Sequence, residues 1–193
     1  MRRIFFVAVG VIGAGIACGG SVTSVDGSKN VASLSSSDSN QLCTDTYNYF
    51  VNNFSTNDIL KFTCGLEAGE VVEQPDAGAS ASSTCSSTFQ TCMSQGTTQT
   101  IPSTPDCSSF ATSVASCNTT VSQYTKCFQE EISAAKNLEG QMPLCSAGTL
   151  EQAELQADAQ LDAACLQLIE NGCSFVVGFG SSSSSSGGNV DGG

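Results

Sequence analysis

The stretch that decides the fold reads DCSSFATSVASCNTTVSQYTKC, residues 106–127, and holds three of the eleven cysteines in the chain of 193 residues. Its end opens a helical pattern over about 120–138, with apolar residues three and four apart. One face of this helix carries Val121, Tyr124, Cys127 or Phe128, Ile132 and Ala135. The first part of the quoted stretch, 107–117, is a short Ser/Thr-rich segment of poor intrinsic helicity. Its folding therefore needs contacts with other parts of the chain.

The cysteine spacings show where that support comes from. Cys85 and Cys92 are seven residues apart, which is about 10.5 Å along a helix axis. A disulfide needs its Cα atoms within roughly 7 Å, so each must reach a different neighbouring element. The same holds for Cys117 and Cys127 if both lie on or near one helix. The spacings therefore predict disulfides between helices, each contributing about 2–4 kcal/mol.

Outward from this stretch the chain also reads as helical. The strongest pattern covers 150–171, with Thr149 and Gln152 as a capping box and Gly172 as a left-handed stop. Shorter helices are predicted over 41–53, 56–66 and 84–95, and 175–179 is the one β-like segment. The predicted fold is mainly α, a small disulfide-stapled helical bundle.

Composition divides the chain into four parts. Polar or Ser/Gly-rich segments cannot bury enough surface to offset their ordering entropy. The predicted parts are a signal peptide at 1–17, a lipid-anchored flexible tether at 18–39, a Cys-rich helical domain at 40–179 and a disordered Ser/Gly tail at 180–193. Within the domain, a loop break is expected at about 67–82, where four acids accompany Pro75.

The N-terminus carries an export signal. Arg2 and Arg3 precede fourteen uncharged residues, 4–17, which suits a signal-peptide core and is short for a membrane span. The following Ile-Ala-Cys-Gly resembles the lipobox of bacterial lipoproteins, which implies cleavage before Cys18 and its acylation. Gly15 stands where that pattern usually has Leu, and ordinary cleavage with secretion is the alternative.

Removing Cys18 from the thiol pool leaves an even set of ten. An even number of cysteines in an exported chain predicts disulfides, although the pairing cannot be read from sequence. The ten are Cys43, Cys64, Cys85, Cys92, Cys107, Cys117, Cys127, Cys145, Cys165 and Cys173.

Composition also excludes several function classes. The chain has no His and a formal net charge of −12, so it lacks a His-based triad or His-ligated metal and gives nucleic acid no basic surface. No C-x-x-C, EF-hand, phosphate-binding loop or nucleophile elbow occurs. We therefore predict no catalytic residue, no metal site and no cofactor. Carboxylates alone can hydrolyse glycosides, which keeps a small envelope hydrolase as the alternative function.

Four acids recur at spacings of three and four along the predicted 150–171 helix. They are Glu151, Glu154, Asp158 and Asp162. Such a stripe is either the solvated side of an amphipathic helix or a binding face for a basic partner.

The Arg-Arg start, the Ala-Cys-Gly-Gly junction and the runs 106–127 and 164–173 together resemble the Cys-rich helical lipoproteins that are numerous in myxobacteria. This resemblance implies an envelope location and no reaction. By the bacterial lipoprotein pattern, Gly19 after the acylated cysteine favours the outer membrane, at its periplasmic or surface face. The expected function is that of a lipid-anchored envelope protein with a structural or binding role and an unidentified envelope or surface partner.

Overall fold

The computed structural model describes residues 21–74, 78, 80–96, 102–146 and 148–173. These ranges contain seven α-helices and no strand, which confirms the mainly α fold. The helices are α1 Ser36–Asn53, α2 Thr56–Val72, α3 Ala81–Gln95, α4 Phe110–Ser113, α5 Val121–Gln141, α6 Thr149–Asp158 and α7 Ala163–Glu170. The signal peptide, Cys18, the segment 175–179 and the tail 180–193 lie outside the described residues.

Side-chain caps fix where the longer helices begin. The Ser35 hydroxyl accepts the Asp38 amide at the start of α1. Ser55 and Asp58 form a capping box at α2, and Thr120 and Gln123 form another at α5. These caps satisfy amides that have no partner within the helix. The sharp α1–α2 connection and the start of α5 are thus set by local sequence.

Helix α5 is the central element. Its buried face carries Val121, Tyr124, Cys127, Phe128 and Ile132, as the periodicity predicted. It packs against α1, α2, α6 and α7, while α3 packs mainly on α2 and α4 on α1. The buried apolar residues form four small clusters. Within the described ranges the core is thus divided among several clusters, and the disulfides add covalent links to this packing.

Five disulfides cross-link the described residues. Two of them join helices directly, α2 to α3 through Cys64–Cys92 and α5 to α7 through Cys127–Cys165, and the other three have at least one cysteine in a connecting segment. The pairs are Cys43–Cys107, Cys64–Cys92, Cys85–Cys145, Cys117–Cys173 and Cys127–Cys165, with Cα–Cα distances from 4.7 to 5.9 Å. Cys85 and Cys92 both lie on α3 and are not paired with each other, as the helical spacing required. Cys117 lies before α5, and it too is not paired with Cys127. Thiols stay reduced in the cytosol, so this set of disulfides indicates an exported protein.

The predicted flexible tether at 18–39 is wrong for residues 21–39, because this segment packs on the domain. Val31 is buried, and its amide donates to the Thr119 carbonyl at 2.8 Å. The Val121 amide in turn donates to the Lys29 carbonyl at 2.9 Å. The composition of this segment is polar overall. It is nevertheless ordered, because a few valines and these backbone hydrogen bonds hold it on the domain. The ordered domain therefore starts well before residue 40.

The predicted 150–171 helix is two helices, α6 and α7, with a corner at 159–162. Asp162 caps α7, because its carboxylate accepts the Cys165 amide at 2.7 Å. At the other end Gly148, with φ 73°, precedes α6, and Thr149 donates its hydroxyl to the Ser146 carbonyl in place of the predicted capping box. Gly172, with φ 79°, is the left-handed stop that was predicted.

The loop break predicted at about 67–82 is shorter than expected. Helix α2 continues to Val72 and α3 starts at Ala81. The last turns of α2 are buried at Ala68, Gly69 and Val72. This packing stabilises the helix despite the loop-like composition of the segment. In the described part of the chain, no helix is both long and apolar enough to cross a bilayer.

Candidate ligand-binding cleft

A cleft of about 960 Å³ lies between α2, α5, α6 and α7. Its apolar walls are Phe62, Leu66, Ala134, Ala135, Leu138, Ala157, Leu161, Leu166 and Ile169. Four carboxylates complete the lining: Glu131, Glu154, Asp158 and Glu170. Ligand sites in proteins are concave, mainly apolar and contain a few polar groups, so this cleft is the candidate functional site.

The corner between α6 and α7 shapes the cleft. The Asp162 amide donates to the Glu130 carboxylate at 2.9 Å, and the Asp162 carboxylate pairs with Lys126. These contacts bind the corner to α5. The Cys127–Cys165 disulfide then holds α7 on α5, with 4.8 Å between the Cα atoms. A continuous helix over 150–171 would run straight on, whereas the corner brings Leu166 and Ile169 to face α5.

Helix spacing brings Glu131 into the cleft. Ala134, Ala135 and Leu138 follow it at three, four and seven residues, so all four share one face of α5. Burial of its carboxyl group raises the pKa of Glu131 to about 7. Desolvation disfavours the charged form of an acid, and Glu131 is therefore held partly protonated at neutral pH.

Glu154 and Asp158 enter from α6, one helical turn apart. Burial, followed by repulsion from Glu154, raises the pKa of Asp158 to about 6. The pKa of Glu154 is also raised, by burial and then by Glu151 and Glu73. Asp158 Oδ2 is buried and has no hydrogen-bond partner. A buried acceptor without a partner costs free energy.

The lysines of the described residues are paired outside the cleft. Lys29 pairs with Asp38 and Lys61 with Glu139. Lys136 pairs with Asp58, and Lys126 with Glu130 and Asp162. None of these salt bridges includes a cleft acid. The cleft is thus an apolar hollow whose charged groups are all acidic and are not neutralised by the domain.

The four acids predicted as one stripe are divided by the structure. Glu154 and Asp158 line the cleft. Glu151 is exposed, and Asp162 lies at the end of the corner, where it caps α7. Glu131 and Glu170 were not predicted. The signal for Glu131 was its spacing to Ala134, Ala135 and Leu138, whereas Glu170 faces the cleft only because of the corner.

No family model matches the chain, and neither a curated protein nor a solved structure matches it. Among the described residues, no group of three or more His, Cys, Asp or Glu side chains is arranged to hold a metal ion.

Proposed function

We propose that the protein is a lipid-anchored protein of the cell envelope, attached at Cys18, that acts by binding a ligand in the cleft between α2, α5, α6 and α7. The observation that carries this proposal is the cleft itself, with apolar walls from four helices and a volume of about 960 Å³. That volume lies in the range of small-molecule sites, about 300–1,000 Å³.

The proposed anchor would hold the domain close to the bilayer. Ser21, the first described residue, is three positions after Cys18, and residues 21–39 pack on the domain. Three residues span at most about 10 Å. Several acyl chains on one cysteine give firm attachment, in contrast to a single chain. The outer membrane is the proposed location, and secretion after ordinary cleavage is the alternative.

A second candidate function is a small envelope hydrolase that uses carboxylates. The observation in its favour is that Glu131, partly protonated at neutral pH, shares the cleft with the acids of α6. A protonated acid and a charged carboxylate are the two groups that glycoside hydrolysis needs. Binding is preferred because Glu131 shows no interaction with a second catalytic carboxylate: burial is the cause of its raised pKa. The carboxylate that raises the pKa of Asp158 is Glu154, which lies on the same helix.

Titration with an uncharged fluorescent probe, N-phenyl-1-naphthylamine, tests the binding proposal. The full exported chain carrying Cys18→Ser, which has no acylation site, should bind one probe with a saturable rise in fluorescence. Ala157→Phe fills the cleft and should weaken binding at least ten-fold. Ala111→Phe, at an exposed position of α4, is the matched control and should bind as the parent does.

Two results would overturn this function. One is no saturable probe binding by either the parent or the Ala111→Phe chain. The other is steady release of nitrophenol from aryl glycosides by the parent that is lost in Glu131→Gln, which would establish the hydrolase instead.

A further inference from the structure

We infer that the ligand of this cleft is a small cationic amphiphile, with an apolar chain between α2 and α5 and an ammonium group held by the acids of α5, α6 and α7. This inference rests on the proposed binding function and names the chemical class of the ligand. It depends on the composition of the lining, which is apolar except for four acidic side chains.

Apolar side chains line every wall of the cleft, and Ala157, Leu161, Leu166 and Ile169 supply those of α6, the corner and α7. Phe62 and Leu66 come from α2, and Ala134, Ala135 and Leu138 come from α5. The small alanine side chains leave room between the helices, and the larger residues bound it. Burying a hydrocarbon chain here removes apolar surface from water, which favours binding. An alkyl chain is thus a better occupant than a polar sugar or a nucleotide.

The acidic side chains of the cleft determine which charge the head group of the ligand must carry. Glu131 enters from α5, Glu154 and Asp158 from α6, and Glu170 from α7, while α2 contributes only apolar residues to the lining. No Lys or Arg is among the lining residues. An anionic head group would be repelled by these carboxylates, and a neutral one would leave them unpaired. An ammonium group provides charge and three hydrogen-bond donors.

Asp158 offers the most specific contact for that head group. Its Oδ2 atom is buried without a partner, although the domain has four lysines in its described part. An ammonium group that donates to the Asp158 carboxylate would relieve the repulsion between Asp158 and Glu154. Charge-assisted hydrogen bonds of this kind are about twice as strong as neutral ones.

Binding of a cation to these acids must release protons. The groups facing the site are Glu131, Glu154, Asp158 and Glu170, and each binds the ammonium better when charged. The pKa of Glu131 is about 7 and that of Asp158 about 6 without ligand, so part of the population is protonated near neutral pH. Affinity for an amine should therefore fall as the pH decreases from 8 to 5.

Competition for the naphthylamine probe by three ten-carbon compounds tests the inference. Decylamine, decanol and decanoate have matched chains and carry a positive, a neutral and a negative head group. At pH 8, decylamine should displace the probe at a concentration at least ten-fold lower than decanol, and decanoate should be the weakest. Alkylammonium groups stay protonated from pH 5 to 8, so any loss of decylamine affinity over this range reports the protein acids.

Variants assign the effect to the cleft. Asp158→Asn should reduce the preference for decylamine over decanol several-fold while probe binding stays unchanged. Glu70→Gln removes the same charge from an exposed position of α2 and should keep the preference. These two variants have equal net charge, so a general electrostatic effect would change both equally and would contradict the assignment.

The failures of the two proposals are distinguishable. Equal displacement by decylamine and decanol, with normal probe binding, would overturn the cationic ligand and leave the binding function intact. Absence of probe binding would overturn the binding function itself. If only a chain ending at Cys173 bound decylamine, the apolar segment 174–179 would be the occupant, and the inference would be wrong.

Discussion

The backbone amide of Asp162 donates a hydrogen bond to the Glu130 carboxylate, with 2.9 Å between N and Oε2. This contact lies where α6 ends and α7 begins, and it binds the corner to α5. Asp162 itself accepts the Cys165 amide and pairs with Lys126. One aspartate therefore sets the direction of α7 and with it one wall of the cleft.

Asp162→Ala should lower the free energy of unfolding by about 1–2 kcal/mol, because it removes the helix cap and the ion pair with Lys126. Asp162→Asn keeps a good capping side chain and loses only the charge. It should cost less than half as much. Urea titration followed by circular dichroism measures both. Equal destabilisation by the two variants would show that the cap does not hold the corner.

Glu131→Gln should stabilise the protein at pH 8 and have little effect at pH 4. The raised pKa of Glu131, about 7, means that the folded state binds a proton which the unfolded state releases above its normal pKa. The stability this group provides is thus present at low pH and is lost as the pH rises through 7. Gln resembles the protonated acid and avoids that loss.

The expected gain at pH 8 is about 3 kcal/mol, measured by urea unfolding across the pH range. Glu70→Gln, at an exposed position of α2, is the control and should give no comparable gain at pH 8. If Glu131→Gln had the same effect at pH 4 and pH 8, Glu131 would not be desolvated in the cleft.

The Cys127–Cys165 disulfide should matter more for ligand binding than the other cross-links. Replacing both cysteines with Ala should cost about 2–4 kcal/mol of stability. It should also weaken probe binding, since α7 would no longer be fixed on α5. The Cys43–Cys107 double variant loses a comparable cross-link between α1 and the segment before α4, away from the cleft, and should bind normally when folded. Equal binding by both variants would contradict this account of the wall.

Cys18→Ala should abolish incorporation of radioactive palmitate and release the protein from membranes. Gly19→Asp should keep the label, and by the lipoprotein sorting pattern it should move the protein from the outer to the inner membrane. Membrane fractionation after labelling separates these results. A palmitate-free, soluble parent protein would exclude the anchor and support secretion.

The sequence predicted the features that depend on local chemistry. The α5 face followed from residues three and four apart, and the exclusion of a Cys85–Cys92 bond followed from helix rise alone. The stop at Gly172 needed a left-handed residue, for which Gly is the usual choice. In each case the physical cause lies within a few residues of the position concerned.

The cleft could not be predicted, because it depends on contacts between distant residues. The corner at 159–162 leaves the apolar spacing nearly continuous from Ala157 to Leu168, so the pattern was typical of one helix. The chain turns at the corner because of tertiary contacts with Glu130, Lys126 and Cys127 of α5. The order of 21–39 also depends on a distant partner, the backbone of 119–121, of which polar composition gives no sign.

Peptide mapping of the unreduced protein tests most directly the claim that cross-links between helices hold this domain and shape its cleft. After alkylation without reduction, the account predicts no labelled thiol among the ten domain cysteines. It also predicts five cross-linked peptides that contain Cys43–Cys107, Cys64–Cys92, Cys85–Cys145, Cys117–Cys173 and Cys127–Cys165. Labelling of most of these thiols in folded protein, or a Cys117–Cys127 peptide, would contradict it.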